Sequence, residues 1–199
     1  MTVAIVDYRA GNLTSVKRAF ERVGAAAVVT ADPAVVAKAK RIVVPGVGHF
    51  SRTATLGESG LQSAISGAVQ RGVPLLGICL GMQWLFPGSE EAPAVAGLGL
   101  LQGCCERFPA AVKSPHVGWN QLSLRCASQI LIGLPNDSFV YFTHSFRVGV
   151  RPQTCATSEY GGEFSAAVQC ERVFGVQFHP EKSGSMGLQI LANFCAVKC

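Results

Sequence analysis

Four short apolar runs in the first eighty residues have the length and composition of buried β-strands. They cover residues 3–6, 26–30, 41–44 and 73–78. Between them lie segments in which apolar side chains recur at the three- to four-residue spacing of a helix. Strands that alternate with helices in this way predict parallel strand pairing and a doubly wound α/β sheet.

Cap and stop residues bound the helical segments. Asn12 is the predicted N-cap of the first helix. Asp32 and Pro33 provide an N-cap and a first-turn proline for a second helix, which we predict to end near Lys40. Gly72 ends the third helical segment, directly before the fourth strand.

The pattern changes after about residue 88, where Gly, Pro and short alternating stretches dominate. Strand-like stretches cover residues 104–108, 120–124, 139–142, 166–168 and 173–178. We predict that they form antiparallel hairpins attached to the parallel half, followed by a last helix over residues 185–197. The chain contains no internal repeat and no separating linker. We therefore expect one domain over residues 1–199, with an open, mostly parallel doubly wound sheet and antiparallel additions in the C-terminal half.

Composition and charge exclude several classes of protein. With 199 residues, 49% hydrophobic and 15% charged, the chain is neither disordered nor collagen-like. The net charge of +5 is spread along the chain, so no nucleic-acid-binding face is predicted. The start lacks the basic region of a signal peptide, and no apolar run reaches the ~20 residues of a membrane span. We expect a cytoplasmic protein with no membrane partner, whose eight cysteines are free thiols.

One cysteine lies in a motif that can perform chemistry. The segment Gly77-Ile78-Cys79-Leu80-Gly81 follows an apolar strand and precedes a helix, as in the Gly-x-nucleophile-x-Gly elbow. The thiol would lie at a helix N-terminus, where the helix dipole favours a thiolate and free backbone N–H groups can bind an oxyanion. Free cysteines are also among the most buried residues. The motif alone therefore fits a catalytic or a structural cysteine.

A candidate base and its partner occur near the C-terminus, in His179-Pro180-Glu181 at the end of an apolar strand. In an extended segment, side chains two residues apart point to the same side, about 6–7 Å apart. Glu181 could orient the His179 imidazole in that arrangement, or through a small backbone turn. Taken singly, His179 also fits a hydrogen-bonded histidine at a strand end, and Glu181 a solvated acid.

The third strand ends in the glycine-rich turn Pro45-Gly46-Val47-Gly48. Ligands of open α/β sheets gather at this edge, and such a turn can offer a backbone N–H group to an oxyanion. A dinucleotide-binding loop is the rival interpretation. The turn lacks the third Gly of that fingerprint and an acidic residue about 20 positions later, which weighs against it.

Together these motifs resemble the class I, triad-type glutamine amidotransferases, and within them the glutaminase subunits of imidazole glycerol phosphate synthase. The blocks that carry the resemblance are Val6-Asp7-Tyr8, Ala10-Gly11-Asn12-Leu13, Pro45-Gly46-Val47-Gly48-His49-Phe50, the segment around Cys79, Pro115-His116-Val117-Gly118-Trp119-Asn120, Tyr141-Phe142-Thr143-His144-Ser145-Phe146 and His179-Pro180-Glu181-Lys182-Ser183. Some positions depart from the family, among them Arg9 and Phe146, while Trp84, Cys104-Cys105 and the turn around Pro93 are also unusual. Arg9 stands where the family usually has Gly, and Phe146 stands where Tyr is common.

The resemblance implies a glutaminase with a class I glutamine amidotransferase fold. Cys79 would attack the side-chain amide of glutamine, His179 would transfer the proton, and Glu181 would orient His179. The other implied sites are an oxyanion hole (Leu80, Gly46, Val47, Gly48), glutamine contacts (Gln83, Ser145, Phe146) and a partner interface (Asn12, Trp119, Tyr141, Lys182). The ammonia would pass to a cyclase subunit in a heterodimer, in histidine biosynthesis.

The remaining candidate residues receive no chemistry at this stage. No cofactor or metal is expected, because no ligand pattern accompanies Cys195 and Cys199. His49, His116 and His144 are interpreted as structural, and the seven cysteines other than Cys79 as packing residues. Three alternative functions stay open. They are a related glutaminase serving pyridoxal phosphate, purine or anthranilate synthesis, a non-catalytic binding subunit with a vestigial triad, and a free-standing cysteine hydrolase.

Overall fold

The computed structural model describes residues 2–198, and an eight-stranded sheet forms its centre. Across the sheet the strands are β2 (Ala26–Thr30), β1 (Thr2–Val6), β3 (Ile42–Gly46), β4 (Leu75–Cys79), β12 (Val173–Val176), β11 (Glu163–Cys170), β10 (Thr154–Glu159) and β7 (Ser123–Leu124). The first five pair in parallel and the last three pair antiparallel. The predicted mostly parallel α/β sheet with antiparallel additions is confirmed.

Helices cover both faces of this sheet. In chain order they are α1 (Leu13–Arg22), α2 (Pro33–Ala37), α3 (Ala54–Glu58), α4 (Leu61–Gln70), α5 (Leu80–Trp84) and α6 (Gly184–Ala196). On one face, Phe20 of α1 and Phe194 of α6 pack edge to face, with ring centroids 6.4 Å apart. On the other face, α2 and α4 bury Val36, Leu61 and Ile65 against the sheet. Two apolar cores therefore lie on opposite faces of the sheet.

The predicted caps are present. Asn12 Oδ1 accepts the Ser15 N–H at 3.3 Å, and Asp32 Oδ1 accepts the Ala34 N–H at 2.8 Å. The second helix ends at Ala37, earlier than predicted. Beyond it, Lys38 N–H donates to the carbonyl three residues back, so the last turn tightens and the chain then leads into β3.

The position of β12 corrects the sequence analysis, which placed residues 173–178 among the antiparallel hairpins. β12 pairs antiparallel with β11 but parallel with β4, so it extends the parallel half. Its four residues are all buried. A pattern of apolar positions reports this burial, but it does not reveal a strand partner about one hundred positions away in the chain.

Two short ladders complete the fold. An antiparallel ribbon joins β6 (His116–Gln121) to β8 (Phe139–His144), and a smaller ladder joins β5 (Glu106–Arg107) to β9 (Phe146–Arg147). The His179 N–H donates to the Tyr141 carbonyl at 2.9 Å, so the ribbon lies against the chain that leaves β12. The central sheet takes strands from both halves of the chain, and the division into domains stays a prediction. Within residues 2–198, no helix is long and apolar enough to cross a membrane.

Candidate active site

Cys79 lies on a sharp turn between a strand and a helix. β4 ends at Cys79 and α5 begins at Leu80. The backbone of Cys79 has φ 53° and ψ −108°, a conformation that non-glycine residues rarely adopt. Holding it costs about 1–3 kcal/mol, and such strain clusters at functional sites. The local geometry is therefore that of a nucleophile elbow.

The two glycines of the motif are explained by close packing of the turn. A Cβ on Gly77 would lie 2.6 Å from the carbonyl oxygen of Gly81. A Cβ on Gly81 would lie 1.7 Å from the carbonyl oxygen of Val44 in the neighbouring strand. Because backbone atoms cannot yield like the end of a flexible side chain, glycine is required at both positions.

His179 and Glu181 form a buried pair. Nδ1 of His179 lies 2.8 Å from Oε1 of Glu181, and the two side chains are 2% and 3% exposed. Of the two predicted arrangements, the backbone turn is the one present, because Pro180–Lys182 forms a short 3-10 helix. The Ser183 hydroxyl donates to the His179 carbonyl and accepts the Tyr141 N–H. This hydroxyl ties the turn to the ribbon, a contact that sequence analysis missed.

The charges around His179 favour its protonated form. Burial by itself lowers the pKa of this imidazole because it penalises the charged state. The interaction with Cys79, first of all its charge, and the hydrogen-bonded Glu181 carboxylate outweigh burial and raise the pKa of His179 to about 10. Within the described residues, Nε2 of His179 makes no hydrogen bond of ordinary geometry. The arrangement therefore favours an imidazolium at His179.

A chain of amides connects Cys79 to the neighbouring loop. Gln177 Nε2 donates to the Cys79 sulfur at 3.6 Å, and Gln177 Oε1 accepts from Gln83 Nε2 at 3.1 Å. Gln83 Nε2 also donates to the carbonyl of Phe146 at 2.9 Å. Gln83 and Phe146 are among the residues predicted from the sequence, whereas Gln177 is not. Its signal was a polar residue inside an apolar strand run, two positions before His179.

A cavity of about 230 Å³ opens beside the thiol. This volume is below the ~300–1,000 Å³ typical of sites for drug-sized ligands and suits a smaller molecule. Its lining includes Gly48, Cys79, Leu80, Gln83, Glu91, Pro115, Thr143, His144, Ser145 and Phe146. Each predicted glutamine contact is among these residues.

Glu91 is the acidic residue of this cavity, and sequence analysis did not predict it. Its Oε2 accepts the Phe50 N–H at 2.7 Å, which anchors the carboxylate at the cavity wall. A carboxylate in this position can pair with an ammonium group of a ligand. The available signal was that Glu90 and Glu91 are the only charged residues between residues 73 and 105.

The predicted oxyanion residues lie next to the thiol. Gly46 is the partner of Cys79 across the β3–β4 ladder, while Gly48 and Leu80 line the cavity. Leu80 opens α5, so its N–H has no partner inside the helix. Val47 lies between the two glycines, and its side chain is exposed. Their role in binding an oxyanion stays a prediction.

Three of the four predicted interface residues form one cluster. The rings of Trp119 and Tyr141 pack edge to face with centroids 6.0 Å apart, and Lys182 Nζ lies 5.7 Å from the centre of the Tyr141 ring. The fourth, Asn12, uses its side chain to cap α1. On the ribbon, Trp119 and Phe139 are 55% and 54% exposed. We call the exposed side chains Val117, Trp119 and Phe139, together with the partly buried Tyr141, the ribbon surface.

The remaining cysteines differ in their surroundings. Cys105 and Cys155 are buried, as predicted for packing residues, whereas Cys170 and Cys195 are partly buried. Cys104 and Cys126 are exposed, so the packing interpretation was wrong for these two. Both lie in loops outside the central strands. Side chains of the central strands are covered by helices on both faces of the sheet, and loop side chains are not. Cys199 lies outside the described residues.

Arg9 and His49 shape the backbone of two loops near the site. Arg9 has φ 64°, in the left-handed region that favours glycine, which explains why glycine is common at this position in the family it resembles. Its N–H donates to Asp7 Oδ1 at 2.9 Å. His49 caps the turn at Phe50 by accepting the Ser51 N–H at 3.2 Å, which is a structural role as predicted.

Comparison with known proteins agrees with this geometry. The family model for glutamine amidotransferase class-I matches residues 4–197. Over 195 residues the chain is 47% identical to the imidazole glycerol phosphate synthase subunit HisH of Moorella thermoacetica, covering 96% of this chain and 93% of the relative. It is 43% identical to the HisH subunit of Methanothermobacter thermautotrophicus, covering 98% of each chain. The structure of PurLQS from Thermotoga maritima shares the fold, with a TM-score of 0.76 at 20% identity over 98% of this chain and 97% of the other.

Proposed function

The chain belongs to the class I glutamine amidotransferases and, within them, to the HisH subunits of imidazole glycerol phosphate synthase, and on this premise we propose that Cys79, His179 and Glu181 hydrolyse glutamine to glutamate and ammonia. One observation carries the assignment. A cysteine on a strained elbow interacts with a buried histidine whose Nδ1 is hydrogen-bonded to a carboxylate.

The reaction follows from the charges of these groups. The Cys79 sulfur attacks the side-chain amide carbon of glutamine, and the carbonyl oxygen becomes an oxyanion beside the N–H groups of Leu80 and the Gly46–Gly48 turn. His179 gives its proton to the leaving nitrogen, which departs as ammonia and leaves a γ-glutamyl thioester on Cys79. His179 then takes a proton from water, the water oxygen attacks the thioester, and glutamate leaves with the thiolate restored. Glu181 stabilises the imidazolium throughout.

The cavity supports an amino-acid substrate. Glu91 would pair with the α-ammonium group of glutamine, while Gln83 and the backbone of Ser145 and Phe146 would hold the rest of the molecule. The cavity wall therefore offers a negative charge at one place and polar backbone groups at another. This distribution matches a zwitterion that carries a side-chain amide.

The partner is proposed to be the cyclase subunit, which would receive the ammonia for histidine biosynthesis. The ribbon surface supports a docking site because it exposes large apolar and aromatic side chains next to Lys182. The backbone carbonyl of Tyr141 also accepts the His179 N–H, so this surface is in direct backbone contact with the catalytic histidine.

The experiment that tests the activity measures glutamate production with and without the cyclase subunit and its nucleotide ligand. We expect addition of the partner to increase turnover strongly. Cys79→Ser should lower turnover by about 10⁴-fold or more while the protein stays folded. Activity that survives this substitution would exclude Cys79 as the nucleophile, and turnover unchanged by the partner would contradict a partner-dependent glutaminase.

The docking surface has its own test. Trp119→Ala removes a large exposed ring, and we expect it to weaken binding of the cyclase subunit by about tenfold or more, measured by calorimetry. Ile132→Ala is the matched control, because Ile132 is also exposed and apolar but lies outside the ribbon. Equal affinities of the two variants would place the interface elsewhere.

A further inference from the structure

Two buried histidines next to the cavity have no part in the mechanism above. His116 and His144 are direct partners across the β6–β8 ladder, and they are 4% and 6% exposed. Nδ1 of His116 lies 3.2 Å from Nε2 of His144, and Nδ1 of His144 lies 2.9 Å from the carbonyl oxygen of Phe146. The sequence alone favours a structural role for both.

The chemistry of the acceptors fixes the direction of these hydrogen bonds. A carbonyl oxygen can only accept, so the proton of His144 is on Nδ1 and its Nε2 is an acceptor. His116 must then donate through Nδ1 and accept through Nε2. Asn120 Nδ2 supplies that last donor at 3.4 Å, and it also donates to the Glu159 carbonyl at 2.9 Å. The result is one chain of donors that runs from Asn120 to Phe146.

This direction is kept because both imidazoles are neutral. Burial lowers the pKa of His116 to about 4 and that of His144 to about 3, and the positive charge of His179 is among the further causes for His144. A protonated ring in this pair would place two N–H groups opposite each other. Near neutral pH the chain of hydrogen-bond donors from Asn120 to Phe146 therefore has one protonation pattern.

This chain of hydrogen-bond donors ends at the Phe146 carbonyl, which also orients Gln83. The Phe146 carbonyl accepts from His144 and also from Gln83 Nε2 at 2.9 Å, and the same Nε2 donates to Gln177. Both amide hydrogens of Gln83 are thus engaged, which leaves its carbonyl oxygen as the group it offers to a ligand. We propose that His116 and His144 are positioning residues that hold the Phe146 carbonyl, and through it Gln83, in the geometry that binds glutamine. This inference rests on the proposed function.

A packing role is the alternative, and it makes the opposite prediction for His116. The ring of His116 stacks between Phe142 and Tyr160, with centroids at 4.9 Å and 4.1 Å and interplanar angles of 23° and 16°. His116→Phe keeps an aromatic ring in the stack but removes both hydrogen bonds. His116→Asn loses the ring but keeps an amide N–H near the position of Nδ1. The two variants therefore separate hydrogen bonding from packing.

The experiment determines kcat and KM for glutamine in the complex with the cyclase subunit. We expect His116→Phe to raise KM by about five- to tenfold with kcat within about twofold, and His116→Asn to recover most of the wild-type KM. Tyr160→Phe is the matched control. It keeps the stacked ring and removes a hydrogen bond outside the chain, from the Tyr160 hydroxyl to the Lys113 carbonyl, so its KM should equal that of the wild type.

The rate at which two reagents label Cys79 provides a second readout. A purely structural role of His116 would not change the rate for one reagent and leave the other unchanged. A chloroketone analogue of glutamine needs the oriented cavity, whereas iodoacetamide needs only the thiolate. We expect His116→Phe to slow labelling by the chloroketone about fivefold or more and to leave labelling by iodoacetamide unchanged. If His116→Phe fails to fold, Asn120→Leu removes the first donor of the chain, and KM should still rise about twofold.

The outcomes separate this inference from the proposed function. A wild-type KM in the folded His116→Phe variant, or a KM more impaired in His116→Asn than in His116→Phe, would overturn the positioning role alone. An unsubstituted chain that neither hydrolyses glutamine nor reacts with the chloroketone would overturn the proposed function, and the inference with it.

Discussion

Cys79, His179 and Glu181 illustrate how strain and charge combine at single residues. The strained φ of Cys79 places its side chain at the end of β4, where it borders both the apolar core and the cavity. The buried Glu181 carboxylate then holds one ring nitrogen of His179. Because Cys79 and Glu181 raise the pKa of His179 to about 10, the ring keeps its proton over a wide pH range, as the acid proposed for the leaving nitrogen requires.

Glu181→Gln tests this electrostatic account. Replacing the carboxylate with a neutral amide removes a charge that raises the pKa of His179, so that pKa should fall by about one unit or more. The alkaline limb of the pH profile of kcat/KM for glutamine should move to lower pH by the same amount. Glu21→Gln, on the exposed face of α1, is the control and should leave the limb in place. An unmoved limb in Glu181→Gln would show that the carboxylate does not set the charge of His179.

At the scale of elements, the turn between β4 and α5 depends on backbone atoms that approach closely. Gly77 and Gly81 pack against each other across the turn, and Gly81 also approaches Val44 of β3. Gly175 of β12 lies beside Gly77 in the parallel ladder, where its own Cβ would meet Met82 at 2.7 Å. The packing of these glycines allows α5 to start directly over the sheet and present the thiol.

Gly77→Ala should therefore destabilise the fold. The added methyl group would meet the Gly81 carbonyl, and we expect the free energy of unfolding to fall by about 1–3 kcal/mol. Gly67→Ala is the matched control, because Gly67 lies within α4 and a Cβ there meets only the end of the Arg71 side chain, at 3.4 Å. That variant should gain about 0.5–1 kcal/mol from reduced backbone entropy of the unfolded chain. Urea unfolding measures both, and equal stabilities would contradict the close packing of the elbow.

For the whole molecule, the buried histidines make stability depend on pH. The pKa values of His116 and His144 lie at about 4 and about 3, below the ~6.5 of an unfolded chain. As the pH falls below about 6.5, the unfolded chain binds protons that the folded chain does not. The free energy of unfolding should therefore decrease from pH 6.5 to pH 5, by about 1 kcal/mol per pH unit for each histidine.

His179 offsets only a small part of this loss, because its folded-state pKa is raised to about 10 and below about pH 6 it is mostly protonated in both states. In urea unfolding at several pH values, His116→Phe should show about half the wild-type slope. His49→Gln, which alters an exposed histidine, should keep the full slope. A slope in His116→Phe as steep as that of the wild type would contradict the neutral buried pair.

Much of the site could be predicted from the sequence because its residues lie in local motifs. Three features lie at strand ends: the elbow at Cys79, the His179–Glu181 pair and the glycine-rich turn at the end of β3. The carboxyl ends of parallel strands meet at one edge of the sheet, so these features come together. Gln177 and Glu91 could not be predicted in the same way. Their roles depend on which chain segments come together, such as the approach of Glu91 to Phe50, about forty positions earlier.

The sequence by itself determined the alternation of strands and helices, the caps, the elbow and the family. Each of these depends on residues that are close together in the chain. The tertiary structure decided the parallel pairing of β12 with β4, the burial of the His179–Glu181 pair and the donor chain from Asn120 to Phe146. These features depend on contacts between distant segments. Burial and low polarity then set the charge states of His179, His116 and His144, which a residue's type and position in the chain do not reveal.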